Sequence, residues 1–289
     1  MHRLFAVAVL TLLALAPASP ASAQLIAAKD GPVVNGHHHL NVANVDAAKR
    51  FWVDALGGVV TRFGKENREI IKFPNALILM REQKPTGGSK GSTVDHIAFS
   101  VSSLRPVVDR IKKGGFRMIT AAEAPPNVPV KDDIGVVDGG PVSGIAYALS
   151  PDDVKVELVE MKAQSQPITS HHIHFFGAQK EMHAWYMKTF GAAEAASANP
   201  AAFVSASLPG RGLTFSPAKT PGAGTQGRAV DHIGFEVKNL EAFTKKLEAQ
   251  GVKLAVPYRQ VPALGIAIAF ITDPWGTYIE LTEGLDKVN

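Results

Sequence analysis

The chain has 289 residues, no cysteine and a formal net charge of +4. Without cysteine there are no thiolate metal ligands, no cysteine nucleophile and no disulfide scaffold. Lysines and arginines are dispersed rather than clustered in a stripe that could track phosphates, which argues against nucleic acid as a partner.

His2 and Arg3 give the chain a weakly basic start, and Leu4 to Ala16 is a short apolar run. Ala21-Ser22-Ala23 is a small-x-small cleavage pattern before Gln24. Residues 1–23 are therefore expected to be a secretory signal peptide, too short to span a membrane. No later segment is apolar enough to cross a bilayer, so the mature protein is expected to be secreted or periplasmic, with no membrane contact after cleavage. The lack of cysteine suits such an oxidising compartment.

The rest of the chain is repetitive. Gly36-His37-His38-His39-Leu40-Asn41-Val42 reads as a strand leading into a helix over Val45–Gly57, which ends Phe51-Trp52…Leu56-Gly57. A linker over 85–92 precedes a second opening strand, Val94-Asp95-His96-Ile97-Ala98-Phe99-Ser100-Val101. Helical spacing follows over Leu104–Gly114. Ser150-Pro151-Asp152-Asp153 is a turn, and Val154–Glu160 closes the first half with Val156 and Leu158 on one face and Glu157 on the other.

After a linker over 163–167, Ser170-His171-His172-Ile173-His174-Phe175-Phe176 leads into Lys180–Gly191, ending Trp185-Tyr186…Phe190-Gly191. Counted from His37 and from His171, the aromatic pairs fall 14 and 15 residues on. Past a linker over 217–227, Val230-Asp231-His232-Ile233-Gly234-Phe235-Glu236-Val237 matches Val94–Val101 at an offset of 136 residues. Leu240, Phe243 and Leu247 share a helical face and Gly251 is a C-terminal cap. Asp273-Pro274-Trp275-Gly276 turns into the closing strand Thr277–Glu283, where Glu280 opposes Ile279 and Leu281. Residues 33–162 and 168–285 are thus two homologous halves, each of two units that run strand, helix, strands.

A His–His–Glu pattern recurs with the duplication: His37, His96 and Glu157, then His171, His232 and Glu280. Each histidine opens a strand and each glutamate closes a later one. Two neutral imidazoles and a carboxylate suit a divalent transition metal (Fe, Mn or Zn) with open coordination positions. Ala98 and Gly234, two residues after a histidine, leave room beside it. The helix register selects His171, whereas a slip of one residue makes His172 the ligand and brings His174 to the same face. A lone histidine in such a place would be read as a strand cap; the recurrence in register is what favours a metal. His38, His39, His172, His174 and His183 are extras, expected mostly to face solvent or to support the ligands; Glu160 and Glu283, on the opposite face from the ligands, are expected to be solvated charges. Trp52, Trp185 and Tyr186 are assigned to the core, and Tyr147, Tyr258 and Phe270 to either cleft or core.

These features resemble the vicinal oxygen chelate superfamily, which includes glyoxalase I, bleomycin-resistance proteins and type I extradiol dioxygenases. The carriers are the His-x-x-x-x-Val opening strands, the Phe-Trp…Leu-Gly and Trp-Tyr…Phe-Gly helix ends, and Asp-Pro-Trp-Gly-x-x-x-Glu-Leu, over roughly residues 33–285. The resemblance implies an α+β fold of four βαβββ modules paired into two domains, each a curved sheet around a cleft with ligands on first and last strands. If modules pair within halves, the sets are those given above; if they pair across halves, His37 joins His232 and Glu280, and His171 joins His96 and Glu157. The fourth ligand of glyoxalases has no counterpart in Leu77-Ile78-Leu79 or Leu213-Thr214-Phe215. The extradiol pattern is broken as well, since Val261–Phe270 contains no histidine and Phe270 stands where that pattern has tyrosine.

The resemblance implies a metal-dependent lyase, isomerase or dioxygenase acting on a small oxygen-rich or aromatic compound, in a monomer or homodimer. A sequestration protein of the bleomycin-resistance type, or a protein using the fold only to bind a partner, is the alternative.

Overall fold

A computed structural model describes residues 25–288. The expected signal peptide lies outside the described residues. No helix among them is long and apolar enough to cross a membrane.

The first module runs β1 (Val34–Val42), α1 (Val45–Lys49) continuing as a π turn (Arg50–Ala55), β2 (Val59–Phe63), β3 (Arg68–Phe73) and β4 (Ala76–Glu82). The second runs β5 (Val94–Val101), α2 (Leu104–Lys113), β6 (Arg117–Met118), α3 (Thr120–Glu123), β7 (Val130–Lys131), β8 (Ile134–Val136), β9 (Gly144–Leu149) and β10 (Lys155–Glu160). The third is β11 (Ile168–Gly177), α4 (Gln179–Phe190), β12 (Ala193–Ala195), β13 (Val204–Leu208) and β14 (Arg211–Pro217). The fourth is β15 (Val230–Glu236), α5 (Leu240–Ala249), β16 (Leu254–Val261), β17 (Ile266–Thr272) and β18 (Tyr278–Glu283), followed by a 3-10 turn over Leu285–Lys287.

The strands form two sheets. One has the order β16-β17-β18-β15-β1-β4-β3-β2; the other has β12-β13-β14-β11-β5-β10-β9-β8-β7, with β6 on β9. Each sheet takes one module from each half, joined where two opening strands pair antiparallel: β1 with β15, and β11 with β5. The chain is therefore an α+β protein of paired modules, but its sheets do not coincide with the sequence halves 33–162 and 168–285. The linkers of the two halves meet where Ser92 bridges Ala223, and Gly222 is required there because a Cβ would lie 2.9 Å from the Ser92 carbonyl carbon.

The helices form where apolar spacing and caps coincide. In α2, Leu104, Val107, Val108 and Ile111 are buried at spacings of a single helical stripe. Asn44 caps α1 by accepting the Ala47 N–H at 2.7 Å, and Asn239 caps α5 through Ala242. The first helix departs from the expected continuous α-helix. It widens at Arg50 into a π turn, with Leu56 N–H donating to Phe51 O at 3.1 Å, and both Phe51 and Trp52 become fully buried.

One apolar core serves both sheets. Phe73 of the first sheet packs on Phe99 of the second at 4.7 Å between ring centroids, and Phe190 of α4 packs on Phe235 of β15 at 4.9 Å. The helices of each sheet thus fill space against the other. Trp52 is 0% exposed and touches Phe51 and Phe99. Trp52→Ala should cost about 3–5 kcal/mol of stability, measurable as a shift of the urea midpoint; a shift below about 1 kcal/mol would mean the shared core is not built as described.

Candidate metal centres

Because the opening strands pair across halves, the histidines regroup. His37, His232 and Glu280 come together in one sheet, and His96, Glu157, His172 and His174 in the other; within each group one ligand atom per residue lies within 4.8 Å of the rest. The grouping by halves, His171 with His232 and Glu280 and His37 with His96 and Glu157, is replaced by the grouping across halves. His171 does not enter either group. A β-bulge in β11 falls between Ser170 and His172, so that His172 faces Ala98 and takes the ligand position. His171 sits beside it, with its Nδ1 2.7 Å from His172 Nδ1.

In the first centre, His37 Nε2 and His232 Nε2 both lie 2.9 Å from Glu280 Oε2. His232 Nδ1 is 2.7 Å from Asp231 Oδ1, and the other Asp231 oxygen accepts the Gly227 N–H and Asn41 Nδ2. In the second centre, His96 Nε2 lies 3.1 Å and His172 Nε2 3.2 Å from Glu157 Oε2. His96 Nδ1 is 2.7 Å from Asp95 Oδ1. The two centres are copies, down to the aspartate that precedes the histidine. Those aspartates were missed in the sequence reading, although the repeated Val-Asp-His-Ile carried the signal.

This geometry fits a cation. An aspartate that accepts from Nδ1 fixes the tautomer in which Nε2 carries a lone pair. That lone pair then faces a carboxylate oxygen, also an acceptor, and two acceptors so close require a proton or a metal between them. Burial disfavours charge on His232 and His96, but their aspartate and glutamate partners outweigh it and hold both pKa values above the ordinary one. Burial likewise raises the Glu280 carboxyl, and the His232 and His37 hydrogen bonds override it, so Glu280 stays ionised. The same balance keeps Glu157 well below the ordinary range. Burial holds His39 down to about 3, and His174 well below its usual value, so both are neutral imidazoles at physiological pH.

The centres differ around their carboxylates. Tyr147 Oη donates to Glu157 Oε1 at 2.8 Å, whereas Phe270 takes the corresponding place at Glu280 and stacks on Tyr278 at 4.9 Å. Lys155 Nζ bridges Asp95 Oδ1 and Glu123 Oε2, each at 2.7 Å. Glu280 faces Gly234 and Glu157 faces Ala98, two residues beyond their histidines. The equivalent partners in the other modules are Leu79, opposite His39, and Thr214, opposite His174. A fourth carboxylate is thus lacking, and at the second centre His174 stands in the gap, its ring 4.5 Å from His96.

His38 and His183 serve structure. His38 is fully buried on the core side, where Nη1 of Arg211 donates to it. His183 Nε2 donates to Ser205 O at 3.1 Å. Glu160 and Glu283 are not merely solvated, as expected. They accept the Leu104 and Leu240 backbone N–H groups at 2.8 and 2.9 Å, capping α2 and α5 from the closing strands. A recess of about 390 Å³ walled by Phe176, Pro221 and Trp275 lies beside the second centre, with the Phe176 ring 5.0 Å from His174.

Residues 177–281 match the sequence model of the Glyoxalase/Bleomycin resistance protein/Dioxygenase superfamily. That match covers part of the chain's second half, and the fold described above is of the same kind as solved glyoxalase structures. Glyoxalase I from Zea mays has a similar structure, with a TM-score of 0.64 at 16% identity over 88% of this chain and 94% of that one. A point variant of the maize enzyme gives 0.66 at 15% identity over 89% and 95%. A dioxygenase candidate from Bacillus subtilis subsp. subtilis str. 168 gives 0.62 at 12% identity over 88% and 86%. At such identities the likeness is one of fold. No curated protein matches the sequence.

Gly234 makes room for the first centre: a Cβ there would lie 2.1 Å from His37 Cε1. Gly234→Ala should displace the His37 ring and cost about 1–3 kcal/mol, read as a lowered melting temperature together with altered His37 imidazole resonances. Unchanged resonances would show that the ring does not lie over Gly234.

Proposed function

We propose that the protein is a metal-dependent enzyme of this superfamily, a lyase, isomerase or dioxygenase acting on a small oxygen-rich or aromatic compound. The observation that carries the reading is the twofold convergence of two imidazole Nε2 atoms on one glutamate oxygen, with an aspartate behind one imidazole of each pair. His37, His232 and Glu280 would hold one divalent ion, and His96, His172 and Glu157, with His174 beside them, a second. Fe(II), Mn(II) or Zn(II) suits these ligands. When bound, such an ion supplies Lewis acidity toward two neighbouring substrate oxygens.

The chain's own residues account for the rest. Asp95 and Asp231 hold the imidazoles in the ligating tautomer. Lys155 neutralises Asp95 and Glu123 at the rim of the second centre. Burial and the adjacent Glu157 push the Tyr147 hydroxyl upward in pKa, so it remains a proton donor. It can steady Glu157 or hand a hydrogen bond to a bound oxygen, but it is not a base at neutral pH. The first centre has no such hydroxyl at its carboxylate, and sequestration without turnover is the second reading for the molecule.

Metal analysis of tag-free, reconstituted protein tests the proposal. Wild type should carry about two ions per chain, and Glu280→Ala and Glu157→Ala about one each, because each variant removes the only anionic ligand of its centre. Glu283→Ala, which removes a helix cap, should retain about two while losing stability. If both ligand variants keep the wild-type content, or wild type binds none, the metalloenzyme reading gives way to sequestration.

Export belongs to the same proposal. The leader-like residues 1–23 should be absent from the secreted or periplasmic protein, and its intact mass should correspond to a chain beginning at Gln24. A mass that retains Met1–Ala23 would contradict this.

A further inference from the structure

The walls beside the two centres are built from opposite chemistry. On a parallel neighbour strand, paired residues point to the same face. Leu77 pairs with His37 and Leu79 with His39, so both leucines share the face of the first centre. There they join Phe63 and Ile70 in a second apolar cluster, capped by Leu25 from the N-terminal side and by Leu285 and Val288 from the C-terminal side. The C-terminal segment is anchored as it enters. Gly284, at φ 109°, turns the chain, and its N–H donates to the buried Glu236 carboxylate, whose other oxygen accepts the Thr282 hydroxyl at 2.6 Å. The leucine wall beside the first centre is therefore covered by the protein's own chain.

At the second centre the equivalent wall carries hydroxyls. Gly212 pairs with His172 and Thr214 with His174. On the next strand, Ser207 faces Gly212 and Ser205 faces Thr214. Ser205 is half-buried and Ser207 exposed, and Ser216 lies 2.8 Å from His174 Nε2. Leu77 and Leu79 of the first centre's wall are matched here by Gly212 and Thr214, while the Phe176 and Phe203 rings flank His174. The same centre has the Tyr147 hydroxyl on its carboxylate.

We infer that the two centres are not equivalent, and that the second, His96–His172–Glu157, binds the substrate, a polyhydroxylated or otherwise oxygen-rich small molecule whose chelating oxygens sit at the metal while further hydroxyls meet Thr214 and Ser205. The first centre, narrowed by Leu285 and Val288, holds its ion without admitting such a ligand. This rests on the metal-binding reading above and adds which centre takes the ligand and of what chemical class.

Two probes separate the parts of the claim. Lactate and glycerate offer the same hydroxy-acid chelate, and glycerate carries one more hydroxyl. Both are titrated by calorimetry into protein loaded with Co(II), whose visible spectrum reports loading. The expected result is one glycerate per chain despite two cobalt ions, with glycerate bound about tenfold more tightly than lactate, the worth of one or two hydrogen bonds. The near-isosteric pair Thr214→Val with Ser205→Ala should bring the two affinities together without unloading cobalt, and Glu157→Gln should abolish glycerate binding. Two glycerates per chain, equal affinities in wild type, a difference that persists in the double variant, or binding that survives Glu157→Gln would each overturn the inference while leaving the metal reading intact. A protein that takes up no cobalt would end the metal reading itself, and this inference with it.

Discussion

Everything in this molecule hangs on two antiparallel seams, β1 against β15 and β11 against β5. Each seam joins opening strands from different halves, and each carries a bulge at a histidine of its candidate centre. The bulge in β1 lies between Asn35 and His38, that in β11 between Ser170 and His172. The extra residue changes which side chain faces the cleft, and the increased local twist lets the imidazole lean across the seam toward the partner strand. His37 lies over Gly234 for this reason. Without the seams there is no sheet wide enough to curve, and neither centre has its second imidazole.

The seams also set the electrostatics. Asp95 and Asp231 immediately precede His96 and His232, so strand alternation alone would turn them away from the candidate centres. They reach Nδ1 because these strands begin where the linkers end. Asp231 there takes the Gly227 backbone N–H, and Asp95 takes Lys155 from the neighbouring strand. A buried carboxylate with two imidazoles would be costly if any member were unpaired. Here every glutamate and aspartate of both centres has partners, and the buried side-chain atoms left over among the described residues, on Asn35, His37, His38, His39 and Arg211, include no carboxylate oxygen.

Much of this was legible in the sequence, and the failures have local causes. The duplication exposed all four modules, and period-two alternation placed Glu157 and Glu280 on the cleft face because their strands are regular. Pairing across halves was open, since strand pairing over such separations leaves no trace in periodicity. The choice of His171 over His172 failed for a countable reason. His37 precedes Phe51 by one residue more than His172 precedes Trp185, and the π turn of the first helix absorbs that residue. Counting back from the aromatic pair therefore lands one position short in the third module. The helix-capping roles of Glu160 and Glu283 were hidden because a cap supplied from another element has no sequence spacing. The wall beside each centre was present in the sequence as Leu77 and Leu79 against Gly212 and Thr214, but the register that compares them emerges only from the paired strands.

The shared core has a consequence for how the chain reaches this state. β1 finds its seam partner only when β15, near the far end of the chain, is available, and β16, β17 and β18 complete that sheet later still. A topology with so many distant pairings has high contact order and folds slowly. While the first half waits, β1 and β5 each present an unsatisfied strand edge, and Phe73 and Phe99 an apolar surface, of the kind that recruits other chains. The second sheet escapes part of this delay, because β5 and β11 open consecutive modules, with a short stretch leading from β10 into β11, and can pair while β15 is still absent. Assembly from that seam outward would shelter the inner faces before β15 closes the first sheet, making the second sheet the template on which the first is completed.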